Sequence, residues 1–321
     1  MVVTRTLVTG ASGFIGRAVA TAFARRGVAL RAAVRRPPQP PFPAAIEVVQ
    51  HPDLAQPIDW RPLLDGIDQV IHLAGIAHIG RGVAPELYDR VNRLATAQLA
   101  AAAAGVKHFV FVSSIRAQNG PAADHALTER DPATPTDAYG RSKLAAEAAV
   151  RAAGVPFTIL RPALLYGPGV KGNFALLARA ATSPLPLPVK DFGNRRSLLG
   201  IDNFISALAF VLATPATLGE TYVVADPGMP PPLWAVLATL RQAAGRRPLI
   251  LPMPKHYVEI GLRLMGRADL WDRLGGSLGV DAGKLMAAGW QPPHDTLAGL
   301  AAMVRSLTRP AASPAPDRPP P

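Results

Sequence analysis

Tyr139 and Lys143 stand four residues apart in DAYGRSKLAAE (Asp137 to Glu147), at the mouth of an alanine-rich run with helical character. Four residues make just over one helical turn, so the phenol and the ammonium share one face. A free tyrosine, with a pKa of about 10, is a poor base at neutral pH, and a cation one turn away favours its phenolate. A third group must hold a substrate oxygen beside the phenol; Ser113 and Ser114 close the apolar stretch KHFVFVSS and are both candidates. A proton carrier, its activator and a hydroxyl beside a nicotinamide make a site for interconverting a carbinol and a carbonyl.

Where such a dinucleotide would sit is written near the start of the chain. Gly10, Gly13 and Gly16 form G-x-x-G-x-x-G in TGASGFIG, with an apolar strand-like run before them and a helical run after. Glycines there allow a tight turn and close approach of backbone to a pyrophosphate, which rests on the positive end of the helix. At the end of the second strand, where an acidic residue would accept ribose hydroxyls, the chain reads Val34, Arg35, Arg36. Arg35 is the candidate ligand of a 2′-phosphate, which favours NADP(H) over NAD(H). The same two arginines would serve equally as solvated loop residues.

The elements that must position these groups alternate. TRTLVTG leads into FIGRAVATAFARRG, ALRAAV follows, DQVIHLAG precedes ELYDRVNRLATAQLAAAAAG, and KHFVFVSS and PFTILRP are further apolar strands. Unbroken apolar strands between helices predict a parallel sheet covered on both faces, an α/β doubly wound fold of Rossmann type with ligands at the strand carboxyl ends. The dinucleotide-binding domain is expected over 1–163, with a strand near 219–225 returning to its sheet. From Leu164 proline becomes frequent, and a smaller substrate-binding lobe is expected over 164–307. TRPAASPAPDRPPP (308–321) has the composition of a disordered tail.

Composition narrows the classes. The 321 residues carry 49% hydrophobic and 17% charged side chains, which is globular and core-rich. Without cysteine there is no disulfide framework, thiol nucleophile or cysteine zinc site, in keeping with a cytoplasmic protein. The net charge of +12 favours anionic partners, but the arginines are scattered without interleaved aromatics, which argues against nucleic acid. No run of eighteen apolar residues predicts a membrane span, and Phe204 to Ala213 reads as a buried helix. The histidines show no ligand spacing, so no metal site is expected; His78, after Gly75, reads as a loop residue.

TGASGFIG, the Ser113–Ser114 strand end and Tyr139-x-x-x-Lys143 resemble the extended short-chain dehydrogenase/reductase superfamily, in its NAD-dependent epimerase/dehydratase branch. Asp53-Leu54, Leu73-Ala74-Gly75, Asn92 and RPALLYGPG extend the likeness, which runs from Thr6 to about Leu307. The resemblance implies that Tyr139 is the acid/base, that Lys143 lowers its pKa and bonds the nicotinamide ribose, and that Ser114 is the catalytic hydroxyl. It assigns Gly10, Ser12, Gly13, Phe14, Ile15 and Gly16 to the dinucleotide, Asp53 and Leu54 to its adenine, and Leu73, Ala74 and Gly75 to its flank. It places Asn173 and Arg196 on the diphosphate of a sugar nucleotide. The wording RSLLGIDN and the run GRADLWDRLGGSLGVD are similar to UDP-hexose 4-epimerases and to UDP-4-keto-6-deoxy-N-acetylhexosamine 4-reductases.

One departure is informative. Sugar 4,6-dehydratases of this branch carry an Asp-Glu pair after the catalytic hydroxyl, whereas this chain reads Ser114-Ile115-Arg116, so elimination of water is disfavoured. The expectation is an NAD(P)-dependent enzyme acting at C4 of a UDP-hexose or UDP-N-acetylhexosamine in polysaccharide precursor synthesis, as epimerase or ketoreductase. A homodimer through the helices bearing Asn92 and Tyr139 goes with the family likeness. Two alternatives stand beside it: an NADPH-dependent reductase of a non-sugar ketone, and a non-enzymatic dinucleotide sensor.

Overall fold

Strand β1 (Arg5–Thr9) buries every residue after Arg5, and β5 (His108–Val112) buries all of its residues. Strands apolar on both faces require cover on both faces, which a parallel sheet obtains from its crossover helices. In the computed structural model, which describes residues 4–76, 83–170, 173–264, 266 and 276–308 without the side chains of residues 173, 176, 307 and 308, they form a seven-stranded sheet. Its order is β3-β2-β1-β4-β5-β6-β9, every neighbouring pair parallel. The remaining strands are β2 (Ala29–Val34), β3 (Ile46–Gln50), β4 (Gln69–His72), β6 (Phe157–Pro162) and β9 (Thr221–Val224). This is the doubly wound Rossmann-type sheet that the strand spacing predicts. His78, residues 267–275 of the GRADLWDRLGG run and the tail beyond 308 lie outside the described residues.

Two apolar layers hold the sheet. On one side α1 (Phe14–Arg25), through Val19, Ala20 and Phe23, packs with Phe204, Leu208 and Val211 of a helix at Ile201–Ala213. On the other, Trp60, Leu99, Ala100, Ala146 and Val150 cover Leu7, Phe109 and Ile159. That second layer uses α2, a continuous helix over 85–102 widened to π geometry at Asp89–Leu94, and α3 (Ala138–Ala152). Beyond β6 a short parallel pair, β7 (Leu164–Tyr166) and β8 (Leu198–Gly200), joins a separate apolar cluster around Tyr166, Phe174, Leu240 and Leu300. The apolar piece 204–213 is a buried helix, and β9 returns to the sheet beside β6.

A chain of hydrogen bonds fixes where the strand ends stop. His72, at the end of β4 and fully buried, is bonded to Thr9 Oγ1 at 2.6 Å and to Thr96 Oγ1 at 2.8 Å. Thr96 donates to Asn92 O, and the backbone N–H of Ala74 donates to Thr9 Oγ1. Burial drives the His72 pKa down to about 3. The unfolded chain therefore takes up a proton below about pH 6.5 that the folded chain refuses until far lower, so His72 costs stability progressively as pH falls through that window. His72→Asn should shrink the loss of unfolding free energy between about pH 7 and about pH 4, measured by urea titration. An unchanged pH difference would remove His72 from this role; buried His108, held down to about 4, accounts for part of the residual slope.

Candidate active site

The carboxyl ends of β1, β2, β4, β5 and β6 open into one cleft of about 1800 Å³ that also reaches the proline-rich lobe. It begins at the glycine turn. Gly10 has φ of +67°, and a Cβ there would stand 2.7 Å from the Ala74 nitrogen; a Cβ on Gly16 would stand 2.2 Å from Gly10 O. Only glycine fits either place, so the turn lies against the end of β4 and α1 starts close to the sheet. Gly13 caps α1 with no side-chain hydrogen bond, and its first turn holds no acidic residue. The N–H groups at that helix start face the cleft, beside Ser12, Phe14 and Ile15, as a seat for an anion. These features fit the pyrophosphate of a dinucleotide.

Leu73, Ala74 and Gly75 line the next stretch of the cleft. Their course is set by Asn92, which is fully buried in the π-widened part of α2. Asn92 accepts from Ile76 N at 2.8 Å and donates to Ile76 O and to Ser142 Oγ. A Cβ on Gly75 would meet Asn92 Oδ1 at 2.8 Å. Asn92 thus clamps the loop after β4 to α3, a role that its sequence position alone does not announce.

At the far edge, Arg35 follows β2 and Asp53 follows β3, and the parallel register brings them together. Arg35 Nη1 lies 3.2 Å from Asp53 Oδ2, with both side chains well exposed. Asp53 also accepts from Ala55 N, and its carboxyl is held below the usual range, by that backbone bond more than by Arg35. Asp53, assigned with Leu54 to the adenine by the family likeness, thus stands beside Arg35, the candidate 2′-phosphate ligand. Leu54 lines the same edge.

Ser114, Tyr139 and Lys143 all face the cleft. Asp137 N-caps α3 by accepting from Gly140 N, and Arg116 forms an ion pair with the same carboxylate. A Cβ on Gly140 would stand 2.2 Å from Arg116 O, so the helix start is pressed onto the turn that follows β5. That contact brings Tyr139 close to Ser114, whose hydroxyl favours the phenolate. Ser114 Oγ also accepts from Arg116 N at 3.1 Å. Its twin is differently employed: Ser113 is buried and donates to Glu147 Oε1 at 2.6 Å. Of the two serines, Ser114 alone has its hydroxyl beside the phenol.

The electrostatics depart from the simplest expectation. Lys143 donates to Val112 O at 2.9 Å and lies over the Phe111 ring, and burial lowers its pKa to about 8. Tyr139 is raised above its ordinary value, chiefly by burial, against a lowering by Ser114; the nearby charges acting on it are Asp137, Arg116 and Tyr88, with Arg116 lowering. Lys143 is left with two further N–H donors on the cleft side.

In the lobe, Arg196 lines the cleft and donates to Pro121 O and Gly276 O; burial first, then the charge of Arg116, lowers its pKa to about 10. Two guanidiniums in one wall favour an anion. The side chain of Asn173 lies outside the described residues, although its backbone opens the helix Asn173–Thr182. Around it the wall is apolar, with Leu164, Leu165, Leu177, Val236 and Met303. No group of three metal-ligating side chains occurs among the described residues.

A doubly wound sheet with a Ser–Tyr–Lys cluster at its carboxyl edge defines a dinucleotide-dependent enzyme of the extended short-chain dehydrogenase/reductase type. The profile of the NAD dependent epimerase/dehydratase family matches residues 6–225, and the chain belongs to that family. The UDP-glucose 4-epimerase of Vibrio cholerae is 31% identical over 301 residues, 90% of each chain. The ceramide reductase of Caulobacter vibrioides is 31% identical over 301 residues, 91% of this chain and 87% of that one. The solved structure of MoeE5 in complex with UDP-glucose and NAD is 25% identical, with a TM-score of 0.73, covering 95% of this chain and all of that one.

Ser113→Ala should lower the unfolding free energy by about 1–3 kcal/mol, because it removes a partner from a buried carboxylate. Chemical denaturation with and without the substitution measures this, and an unchanged midpoint would show that Glu147 does not need the serine.

Proposed function

We propose that the protein is an NAD-dependent oxidoreductase acting at C4 of a UDP-hexose, most simply as a 4-epimerase. The observation that carries this reading is the pair of side chains Ser114 and Tyr139, facing one cleft with a dinucleotide seat at one end and two arginines at the other. The likeness to a UDP-glucose 4-epimerase over most of the chain supports it.

NAD, when bound, accepts a hydride from the carbinol carbon and gives it back. Ser114 holds the C4 oxygen, with its own lone pair fixed by Arg116 N–H. Tyr139 takes the hydroxyl proton as the carbonyl forms and returns it when the carbonyl is reduced on its other face; no net proton or electron is consumed. Lys143 turns its spare N–H donors to the cofactor side. Arg196, with Arg116 near it, meets the diphosphate. Because Asp53 engages Arg35, the adenosine end accommodates ribose hydroxyls, so NAD(H) is favoured over NADP(H), and with it the epimerase over the net reductase.

A second reading has its own support. The apolar wall at Leu164, Leu165, Val236 and Met303, with the ceramide reductase relative, suits reduction of a lipid ketone by the same hydroxyl pair.

Tyr139→Phe and Ser114→Ala should each lower turnover of a UDP-hexose by about 10²-fold or more while leaving NAD binding intact. A coupled assay with cofactor titration reads both, and near wild-type turnover in either variant would refute its role. Asp53→Asn should weaken NADH and release Arg35, narrowing its preference over NADPH; fluorescence titration of both cofactors tests this, and equal weakening would contradict it.

A further inference from the structure

We propose that the substrate lobe carries a docking face for the surface of an anionic phospholipid membrane, separate from the cleft. Helix α4, taken here as Lys255–Leu264, buries none of its residues. Tyr257, Ile260 and Leu264 follow each other at three- and four-residue spacing and so share one face, and they are 61%, 51% and 83% exposed. A helix of a globular protein ordinarily turns such a stripe to the core. Here the stripe faces outward, and the half-buried Val258 and Leu262 lie on the other side. The segment leading into the helix continues the apolar surface with exposed Leu249, Leu251 and Met253.

That segment is anchored. Leu187 N donates to Leu249 O and Leu251 N donates to Leu187 O, both at 2.9 Å, and Lys190 N donates to Leu251 O. Buried Arg241 donates to Arg247 O. Leu187 and Ile250 pack on the cluster of Val236 and Met303, residues that also line the cleft, so the face backs onto the lobe end of the cleft.

Charge selects the occupant. Arg246 and Arg247 stand exposed at the head of this segment, the acidic Glu259 is paired with Arg263, and Lys255 lies on the half-buried side with Val258 and Leu262. A second copy meeting this face across a two-fold axis would set the same basic residues against themselves. A bilayer rich in anionic headgroups takes both the charge and the apolar stripe, as interfacial amphipathic helices do. No helix among the described residues is long and apolar enough to cross a membrane, so the contact is at the surface.

The full chain is floated with vesicles of phosphatidylcholine alone and with vesicles that also contain phosphatidylglycerol. Binding to the second should exceed binding to the first by about tenfold and weaken with salt. The triple substitution Tyr257→Asp, Ile260→Asp, Leu264→Asp should lower it by about tenfold with unchanged circular dichroism. Ile260→Cys, the one thiol in a chain without cysteine, labelled with a polarity-sensitive fluorophore and used in case the triple variant does not fold, should show a blue-shifted emission on the anionic vesicles. Absence of wild-type flotation, flotation of the folded triple variant at the wild-type level, or an unshifted emission of the label would overturn the proposal. So would a wild-type protein that ignores vesicles but falls from dimer to monomer in the triple variant, which would make the face a contact between copies.

Discussion

Glu147 is a carboxylate with no exposure to water, and the active cluster depends on how it is satisfied. Arg161 grips both of its oxygens from β6, at 2.9 and 2.6 Å, and Ser113 donates to it from the end of β5. Arg151 adds a second cation from the next turn of the helix. A buried charge in this state is unforgiving, since removing one partner from such a pair costs about 3–5 kcal/mol. The helix of Tyr139 can therefore sit at only one depth and one rotation against the sheet. Tyr139, Lys143 and Glu147 are four residues apart in turn, so the anchor at Glu147 aims the other two at the strand end above it.

The same logic repeats around the cleft. Each reactive or binding position is held by a polar link from a different element: Asn92 to the loop after β4, Asp137 to the turn after β5, Asp53 to Arg35 at the outer edge. These links join residues distant in the chain, and they replace water that the crowded strand ends exclude. The outcome is a cleft whose dinucleotide end is defined by backbone, and whose lobe end joins an apolar wall at Leu164, Leu165, Val236 and Met303 to Arg196 and polar residues such as Asn194 and Asn203. On the proposed function, the choice of substrate falls to the second half of the cleft.

How much of this the sequence discloses follows from distance along the chain. The Gly10–Gly16 turn, the Tyr139–Lys143 pair and the parallel doubly wound sheet are legible because each rests on local spacing: glycine where no Cβ fits, one helical turn, apolar runs between helices. Ser113 and Ser114 look alike in sequence; only the arrival of Glu147 on one and Tyr139 on the other separates them. Asp53, assigned to the adenine by the family likeness alone, is seen to stand beside Arg35 only once the parallel β2–β3 register is known. The hydrogen bond from Lys143 to the Val112 carbonyl at the end of β5 is a further link that its spacing does not foretell. His72, unremarked among scattered histidines, is a structural link because Thr9 and Thr96 come from two other elements.

The measurement that bears most directly on the proposed activity follows an isotope. UDP-glucose carrying deuterium at C4 is incubated with the purified protein and NAD, and the products are read by NMR. The account predicts a C4 epimer that keeps its deuterium at C4, with no net change in reduced cofactor, since the hydride leaves and returns within one cleft. Failure to form the epimer, together with net oxidation of reduced cofactor by an apolar ketone, would contradict it.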